Sequence, residues 1–188
     1  MTRETDVNKR RVYTPPPSSQ TEKIALDLAE RYERSQGRHP VYVGDGYPPS
    51  LLDQVSKWVR ERVGSPSWHT CDYVSLSSSG RIDRLIEVKG RKRTSTSVSL
   101  ADRQLEAARA LPDDWWLYVA FDCGTVPFLE VVNRAHRLPW KLLTPPKPLA
   151  PGKKAPSVVE EGVWHVMPAE VIAMGERVVV PGEVRGGR

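Results

Sequence analysis

The sequence predicts an α/β domain in which helices pack against a mixed central sheet. Three observations support this class: a β-hairpin pattern near the middle of the chain, amphipathic stretches with helical spacing around it, and one continuous apolar run, WWLYVAF at 115–121. With 39% hydrophobic residues, a chain of 188 residues can bury one core. We therefore expect one core domain over residues 20–138.

The N-terminal part predicts a flexible tail followed by a helix. Residues 1–19 are polar and basic and end in three prolines and two serines, so we expect a disordered tail. From Ser19 or Gln20 to about Ser35, apolar residues recur at i, i+3, i+4 and i+7, and Gly37 supplies a stop signal. This spacing predicts the first helix.

A strand and a second helix are predicted next. The segment 41–43 is apolar and extended in character, and glycine and proline turn signals follow it. Apolar residues then keep helical spacing from Leu51 to Val63, with basic residues among the polar positions. We expect an amphipathic helix that packs on the domain.

The central pattern is a hairpin that carries a carboxylate and an amine. Alternating runs at 72–76 and 82–88 flank the turn 77–80, which contains a glycine. Because side chains alternate along a strand, Glu87 and Lys89 share one face, whereas Ile86 and Val88 face the opposite apolar layer. Asp72 opens the partner strand, and we expect the hairpin to bring its carboxylate beside Glu87.

This cluster predicts metal-dependent chemistry. Two converging carboxylates repel each other unless a hard divalent cation such as Mg²⁺ accepts their oxygens. A neighbouring lysine can orient or deprotonate a water molecule while the metal stabilises charge on a phosphate oxygen. Residues 81–93 hold six basic and two acidic residues, which would attract a phosphate backbone. The candidate contacts are Arg81, Arg91, Lys92 and Arg93.

The part of the chain after the hairpin predicts a helix and two strands. Ser99 and Asp102 have the spacing of a capping box, so we expect a helix from Ser99 or Leu100 to Leu111, ended by a proline. Gln104 projects from its first turns. The run 115–121 predicts a central strand covered on both faces, and 128–132 predicts another strand.

The C-terminal region predicts an extension joined by a proline-rich segment. Six prolines within residues 139–156 predict a loop or linker over 139–157. A strand at 162–167 and a short helix at 168–174 then predict an extension, 158–180, packed on the core. Residues 181–188 are expected to form a flexible tail.

The motifs resemble those of a known nuclease group. Asp72, fourteen intervening residues and Glu87-Val88-Lys89 resemble the PD-(D/E)XK nuclease motif. Together with IEVKGR, QLEAA at 104–108 and WWLYV, they resemble the Mrr-like domain at the C-terminus of the plant protein NO VEIN and of bacterial helicase-associated defence proteins. The resemblance spans about Glu22 to Gly175, although residues 44–70 form a longer insertion than is usual in that family.

The resemblance implies a restriction-endonuclease-like core and DNA cleavage that depends on Mg²⁺ or Mn²⁺. In this interpretation Asp72, Glu87 and the Val88 carbonyl bind the metal, Lys89 positions the attacking water, and Gln104 is auxiliary. A glutamate of the first helix joins the site. Glu22 and Glu33 both qualify, but they stand about 16 Å apart along the helix and cannot serve one metal, and Glu22 fits the family spacing better.

Two other functions remain open at this point: a nuclease-like module that binds nucleic acid or protein without cutting, and a domain that works with a separate helicase or other defence protein. A homodimer is also open. The expected biological role is restriction or anti-phage defence. Two cysteines without a C-x-x-C pair and no long apolar run predict a cytoplasmic protein without a membrane span.

Overall fold

The computed structural model describes residues 20–64, 70–144 and 162–181. Within these ranges the helices are Gln20–Ser35 (α1), Pro49–Val63 (α2), Asp102–Ala110 (α3) and Pro168–Met174 (α4), with a 3-10 turn at Ala135–Arg137. The strands are His39–Tyr42 (β1), Tyr73–Leu76 (β2), Ile82–Gly90 (β3), Val98–Ala101 (β4), Trp115–Phe121 (β5), Phe128–Val132 (β6), Lys141–Thr144 (β7), Val163–Val166 (β8) and Glu176–Val178 (β9).

The main sheet is mixed, as the sequence predicts. Its six strands run in the order β1-β2-β3-β5-β6-β9, and β3 pairs with β5 in parallel while the other neighbours are antiparallel. A second, antiparallel sheet has the order β4-β8-β7. The predicted α/β class with a mixed central sheet is therefore confirmed.

The main sheet separates two apolar layers. On one face α1 packs against alternate residues of β3, β5 and β6, among them Ile86, Tyr118 and Leu129. On the other face α2, α3 and α4 contribute to a larger core with Leu85, Leu117 and further apolar residues of the sheet. Strand β5 has buried residues on both faces, which explains why its sequence is apolar almost without interruption.

The predicted hairpin and the first two helices are confirmed. Strands β2 and β3 pair in antiparallel fashion across the turn at 77–80. Helix α1 buries Ala25, Leu28 and Ala29, three residues of its predicted apolar stripe. Helix α2 buries Leu51, Val55 and Val59, so the 44–70 insertion supplies a packing helix on the larger core.

Two local predictions are wrong. Ser99 and Leu100 belong to strand β4, and helix α3 begins only at Asp102. Ser99 does not cap a helix, because its strand β4 pairs with β8, which lies more than sixty residues further along the chain. Residues 141–144, which the proline-rich composition predicts as loop or linker, form strand β7 at the other side of β8.

The C-terminal strand and helix are observed as β8 and α4, and the sheet gains an unexpected final strand, β9. The predicted tail at 1–19, all but the first residue of the predicted tail at 181–188, and the part 145–157 of the linker predicted over 139–157 lie outside the described residues. None of the helices in the described ranges has both the length and the apolar character needed to cross a membrane.

Candidate functional site

The site lies where the C-terminal part of β3 extends beyond the first residue of β2. Tyr73 pairs with Ile86, and the Asp72 main-chain N–H donates to the Ile86 carbonyl at 2.8 Å. The pairing ends there, and Asp72 lies one residue beyond it. Glu87 follows Ile86 and alternates with it, so Glu87 lies on the sheet face covered by α2 and α3, as Leu85 does. The negative charge of Glu87 raises the pKa of Asp72, so the two carboxylates lie near each other.

Glu87 is the most buried of the predicted site residues, with 3% of its surface exposed. Its Oε1 accepts hydrogen bonds from Lys89 Nζ at 2.6 Å and from Gln104 Nε2 at 2.5 Å. The alternation along β3 brings Glu87 and Lys89 to the same face, as predicted. The buried carboxylate is thus held by one cation and one neutral amide.

Gln104 joins helix α3 to the two residues of β3. It is the third residue of α3, and its Oε1 accepts the Ala101 main-chain N–H at 3.0 Å and lies 3.4 Å from Lys89 Nζ. Its amide therefore bonds to the start of its own helix as well as to Glu87 and Lys89. This arrangement fixes the side chain at the site rather than leaving it on the surface.

Asp72 is tied to the strand that carries Glu87. Its Oδ2 accepts the Val88 main-chain N–H at 2.7 Å. The N–H and C=O of one strand residue point to the same side of the strand, so the Val88 carbonyl also faces the side on which Asp72 lies. Two carboxylates and one main-chain carbonyl are thereby brought together at the end of the hairpin.

The pKa of Asp72 reflects this environment. Burial of the carboxyl raises the pKa to about 8, and the negative charge of Glu87 acts in the same direction. The Lys89 ammonium and the Val88 N–H oppose the rise, whereas Glu22 adds to it. The metal-free site therefore disfavours two ionised carboxylates at once.

Of the two candidate glutamates of α1, Glu22 lies on the side of the site. Its charge raises the pKa of Asp72, and the first turn of its helix contacts the end of β3, where a Cβ on Gly90 would meet the Thr21 carbonyl oxygen at 2.5 Å. This close approach requires glycine at position 90. The structure thus places Glu22 near the predicted centre.

Glu33 has a different role. It is fully buried and accepts hydrogen bonds from Arg38 at 2.7 and 2.8 Å, and from Ser75 and Tyr118. These bonds hold its pKa below the usual range although burial alone would raise it. Glu33 is therefore the buried centre of a structural network between α1 and the sheet, away from Asp72.

The four basic residues predicted to contact phosphate do not lie together beside the site. Arg81 precedes β3 at the hairpin turn, about 26 Å along the strand from Lys89 at 3.3 Å per residue. The Arg91 guanidinium donates to the Ser97 carbonyl at 2.6 Å and the Gly90 carbonyl at 2.8 Å, and burial lowers its pKa. Lys92 and Arg93, by contrast, are exposed in the loop after β3.

One family model matches the chain. It is described as Protein NO VEIN, C-terminal, and it matches residues 21–133, which are 113 of the 188 residues. The chain belongs to the NO VEIN C-terminal family. Comparisons with curated proteins and with solved structures found no match.

The NO VEIN C-terminal match covers α1 to β6 and includes every predicted site residue. Strands β7, β8 and β9 and helix α4 lie beyond it. Since β8 pairs with β4 immediately before α3, a region outside the family match adjoins the helix that carries Gln104.

Two residues beside the site were not singled out from the sequence. The Tyr47 hydroxyl lies 3.2 Å from the Cys71 sulfur, and burial raises the pKa of both groups. The charges of Asp72 and Glu87 raise these pKa values further, which shows how near they lie. The position of Cys71 directly before Asp72 was a usable signal, whereas nothing in the spacing indicates Tyr47.

The donor set of this NO VEIN C-terminal domain fits a magnesium ion. Among the described residues, no three His, Cys, Asp or Glu side chains form a metal-binding group. Mg²⁺ does not require one, because it binds through one or two carboxylates and keeps several waters or substrate oxygens. Asp72, Glu87 and the Val88 carbonyl supply hard oxygen donors of this kind, and a divalent cation would relieve the repulsion that raises the Asp72 pKa.

Proposed function

We propose that the chain is a deoxyribonuclease that hydrolyses phosphodiester bonds with Mg²⁺ or Mn²⁺. The observation that carries the proposal is the placement of the Glu87 carboxylate at 2.6 Å from Lys89 Nζ and 2.5 Å from Gln104 Nε2, next to Asp72, which accepts the N–H of the following residue, Val88. A pair of carboxylates can bind a hard divalent cation that activates water, and an adjacent ammonium adds positive charge beside that water.

In this function Asp72, Glu87 and the Val88 carbonyl hold the metal ion. When bound, the ion would make a water molecule more acidic and stabilise negative charge on the phosphate oxygens. The proton that Asp72 holds below about pH 8 in the metal-free protein would be released on binding. Metal affinity is therefore expected to rise with pH up to that value.

Lys89 positions the attacking water. Its side chain is 20% exposed, so the ammonium reaches both Glu87 and the solvent side of the site. Attack forms a bond from the water oxygen to phosphorus and breaks the bond to the leaving sugar oxygen; the attacking water releases a proton to solvent, and the leaving oxygen takes one from solvent. The Lys89 charge favours the hydroxide-like nucleophile and the phosphate. Gln104 keeps Lys89 and Glu87 at a fixed spacing.

The wider role follows from the family resemblance. We propose that the substrate is DNA, contacted by Lys92 and Arg93, and that the activity serves restriction or anti-phage defence in the cytoplasm. The resemblance to helicase-associated defence proteins supports a separate helicase as a partner.

Plasmid cleavage with divalent metal tests the proposal. Wild type should nick or cut DNA with Mg²⁺ or Mn²⁺ but not with EDTA, and Asp72→Asn, Glu87→Gln and Lys89→Met should each lower turnover at least about 100-fold. Glu106→Gln is the matched control, since Glu106 is exposed on the same helix as Gln104.

Titration calorimetry separates the roles. Loss of either carboxylate should weaken metal binding at least about tenfold, whereas Lys89→Met should change it much less, because the ammonium is not a ligand. If wild type binds no divalent metal and cuts neither single-stranded, double-stranded nor modified DNA, the nuclease proposal is refuted and a non-cutting binding module replaces it.

A further inference from the structure

A partly buried clamp joins the start of α3 to strand β8, which lies outside the part of the chain that the family model matches. The Asp102 carboxylate accepts the Gly162 N–H through Oδ2 at 2.7 Å and the Trp164 Nε1–H through Oδ1 at 2.5 Å. The Asp102 N–H donates in turn to the Gly162 carbonyl at 3.0 Å. Both carboxylate oxygens are therefore used by β8 and the glycine directly before it, rather than by Asp102's own helix.

The fit at this clamp is close. A Cβ on Gly162 would lie 2.6 Å from Asp102 Oδ2 and 2.8 Å from Oδ1, which is closer than non-bonded atoms approach. Position 162 thus needs a glycine so that the main chain can reach the carboxylate. Ala101 pairs with Val163, so the β4–β8 ladder leads directly into the clamp.

The clamp determines where α3 begins. Ala101 precedes the helix and has no side chain able to cap it, so the ladder to β8 and the three bonds of Asp102 fix the transition from strand to helix. Gln104 lies two residues later, and its amide spans the Ala101 N–H, Lys89 and Glu87. A shift of the first turn would therefore move Gln104 relative to the carboxylate that it holds.

We infer that Asp102 is a positioning residue of the metal site, an inference that rests on the proposed function. Asp102 holds Gln104, through the first turn of α3, at the distance from which its amide orients Glu87. Gly162 and strand β8 are thus part of the working site rather than a separate attachment. Asp102 itself does not contact the metal or the substrate.

Trp164→Phe is the most selective perturbation. It removes the Nε1–H donor to Asp102 and keeps an aromatic ring at this half-buried position. Trp140→Phe is the matched control, because it also removes one indole donor, to the Ala135 carbonyl at 2.8 Å, without touching the clamp. Gly162→Ala tests the same contact from the main-chain side, since its Cβ displaces the carboxylate.

The first measurement is NMR of the Gln104 side-chain amide in metal-free protein, assigned by its loss in Gln104→Ala. Trp164→Phe and Gly162→Ala should shift this signal while Trp140→Phe leaves it in place. An unchanged Gln104 signal in both clamp variants, with the fold intact, would overturn the inference.

The second measurement is a double-mutant cycle on Mn²⁺ affinity by calorimetry. Trp164→Phe should weaken binding about three- to tenfold, below the roughly 10–100-fold cost of losing a direct partner of a ligand. In the Gln104→Ala background, Trp164→Phe should not weaken Mn²⁺ binding further, because its effect on the metal site passes through Gln104. Additive losses would overturn the inference. If wild type binds no Mn²⁺, the proposed function fails, while the NMR measurement still decides whether the clamp positions Gln104.

Discussion

Replacing Asp72 by asparagine should stabilise the metal-free protein, and the gain should grow with pH. Asparagine has nearly the same shape, and its carbonyl oxygen can still accept the Val88 N–H that Asp72 accepts at 2.7 Å. The substitution therefore removes the repulsion with Glu87 while it keeps the hydrogen bond. The difference in stability between wild type and Asp72→Asn therefore measures the free energy needed to hold two carboxylates in one place.

The size and sign follow from the raised pKa. The pKa of Asp72 is about 8 in the folded protein, against about 3.9 for an unperturbed aspartate. Between these values the folded state holds a proton that the unfolded state has released, so wild-type stability is complete below about pH 4 and falls as pH rises towards 8. The steepest slope is about 1.4 kcal/mol per pH unit. Because Asp72 is partly exposed, we expect the stability gained by Asp72→Asn to increase by on the order of 1–3 kcal/mol between pH 5 and pH 8.

Urea unfolding in EDTA, measured from pH 5 to pH 8, gives the difference in free energy of unfolding between wild type and Asp72→Asn. Asp53→Asn is the control, because Asp53 is exposed on α2 and lies outside the site. A difference that stays constant with pH, or that shrinks as pH rises, would refute the claim that burial and Glu87 raise the Asp72 pKa.

The remaining predictions concern charge outside the carboxylate pair. DNA binding by the double variant Lys92→Ala/Arg93→Ala, measured by fluorescence anisotropy, should depend less on salt. The slope of the logarithm of the binding constant against the logarithm of salt concentration should fall in magnitude by about one unit per residue. An unchanged slope would exclude both residues as phosphate contacts. Arg91→Ala should leave that slope unchanged but cost about 1–3 kcal/mol in urea unfolding, because its guanidinium bonds to two main-chain carbonyls. Glu33→Gln should cost about 3–5 kcal/mol near pH 7, since it removes the nearer charge partner of the partly buried Arg38 and leaves the more distant Asp83 at 4.0 Å. Because the Glu33 pKa is lowered, this cost should shrink as pH falls below about 4.5, and a constant cost would contradict the assignment.

The hairpin and the face shared by its site residues could be predicted because they depend on local rules. Strand alternation alone puts Glu87 and Lys89 together. The placement of Asp72 also depends on a register irregularity between Ser75 and Leu76, which leaves Tyr73 paired with Ile86 and which the turn sequence does not indicate. The rise per residue of an α-helix also predicts that Glu22 and Glu33 are too far apart to bind one metal ion. The structure agrees, with Glu22 near Asp72 and Glu33 in a separate buried network.

The rest depends on partners that are distant in sequence. Ser99 has a helix-cap pattern, but pairing with β8 overrides this local preference and makes the segment a strand. Arg81 and Arg91 are neighbours of the site in sequence only: one lies at the far end of β3, and the other turns inward to main-chain carbonyls. No spacing rule indicates which way a long basic side chain points.

The order in which the site assembles follows from its placement on the hairpin. The two carboxylates meet as soon as β2 and β3 pair, an event that takes about 1–10 μs in isolated hairpins. Gln104 reaches its place only after β4 has found β8, whose partner residues Ala101 and Val163 are distant along the chain, and such long-range pairing is slow. Burial is the largest cause of the raised Asp72 pKa, and an isolated hairpin is still open to water. We therefore expect the energetic cost of two ionised carboxylates to appear only as the surrounding elements pack, late in folding.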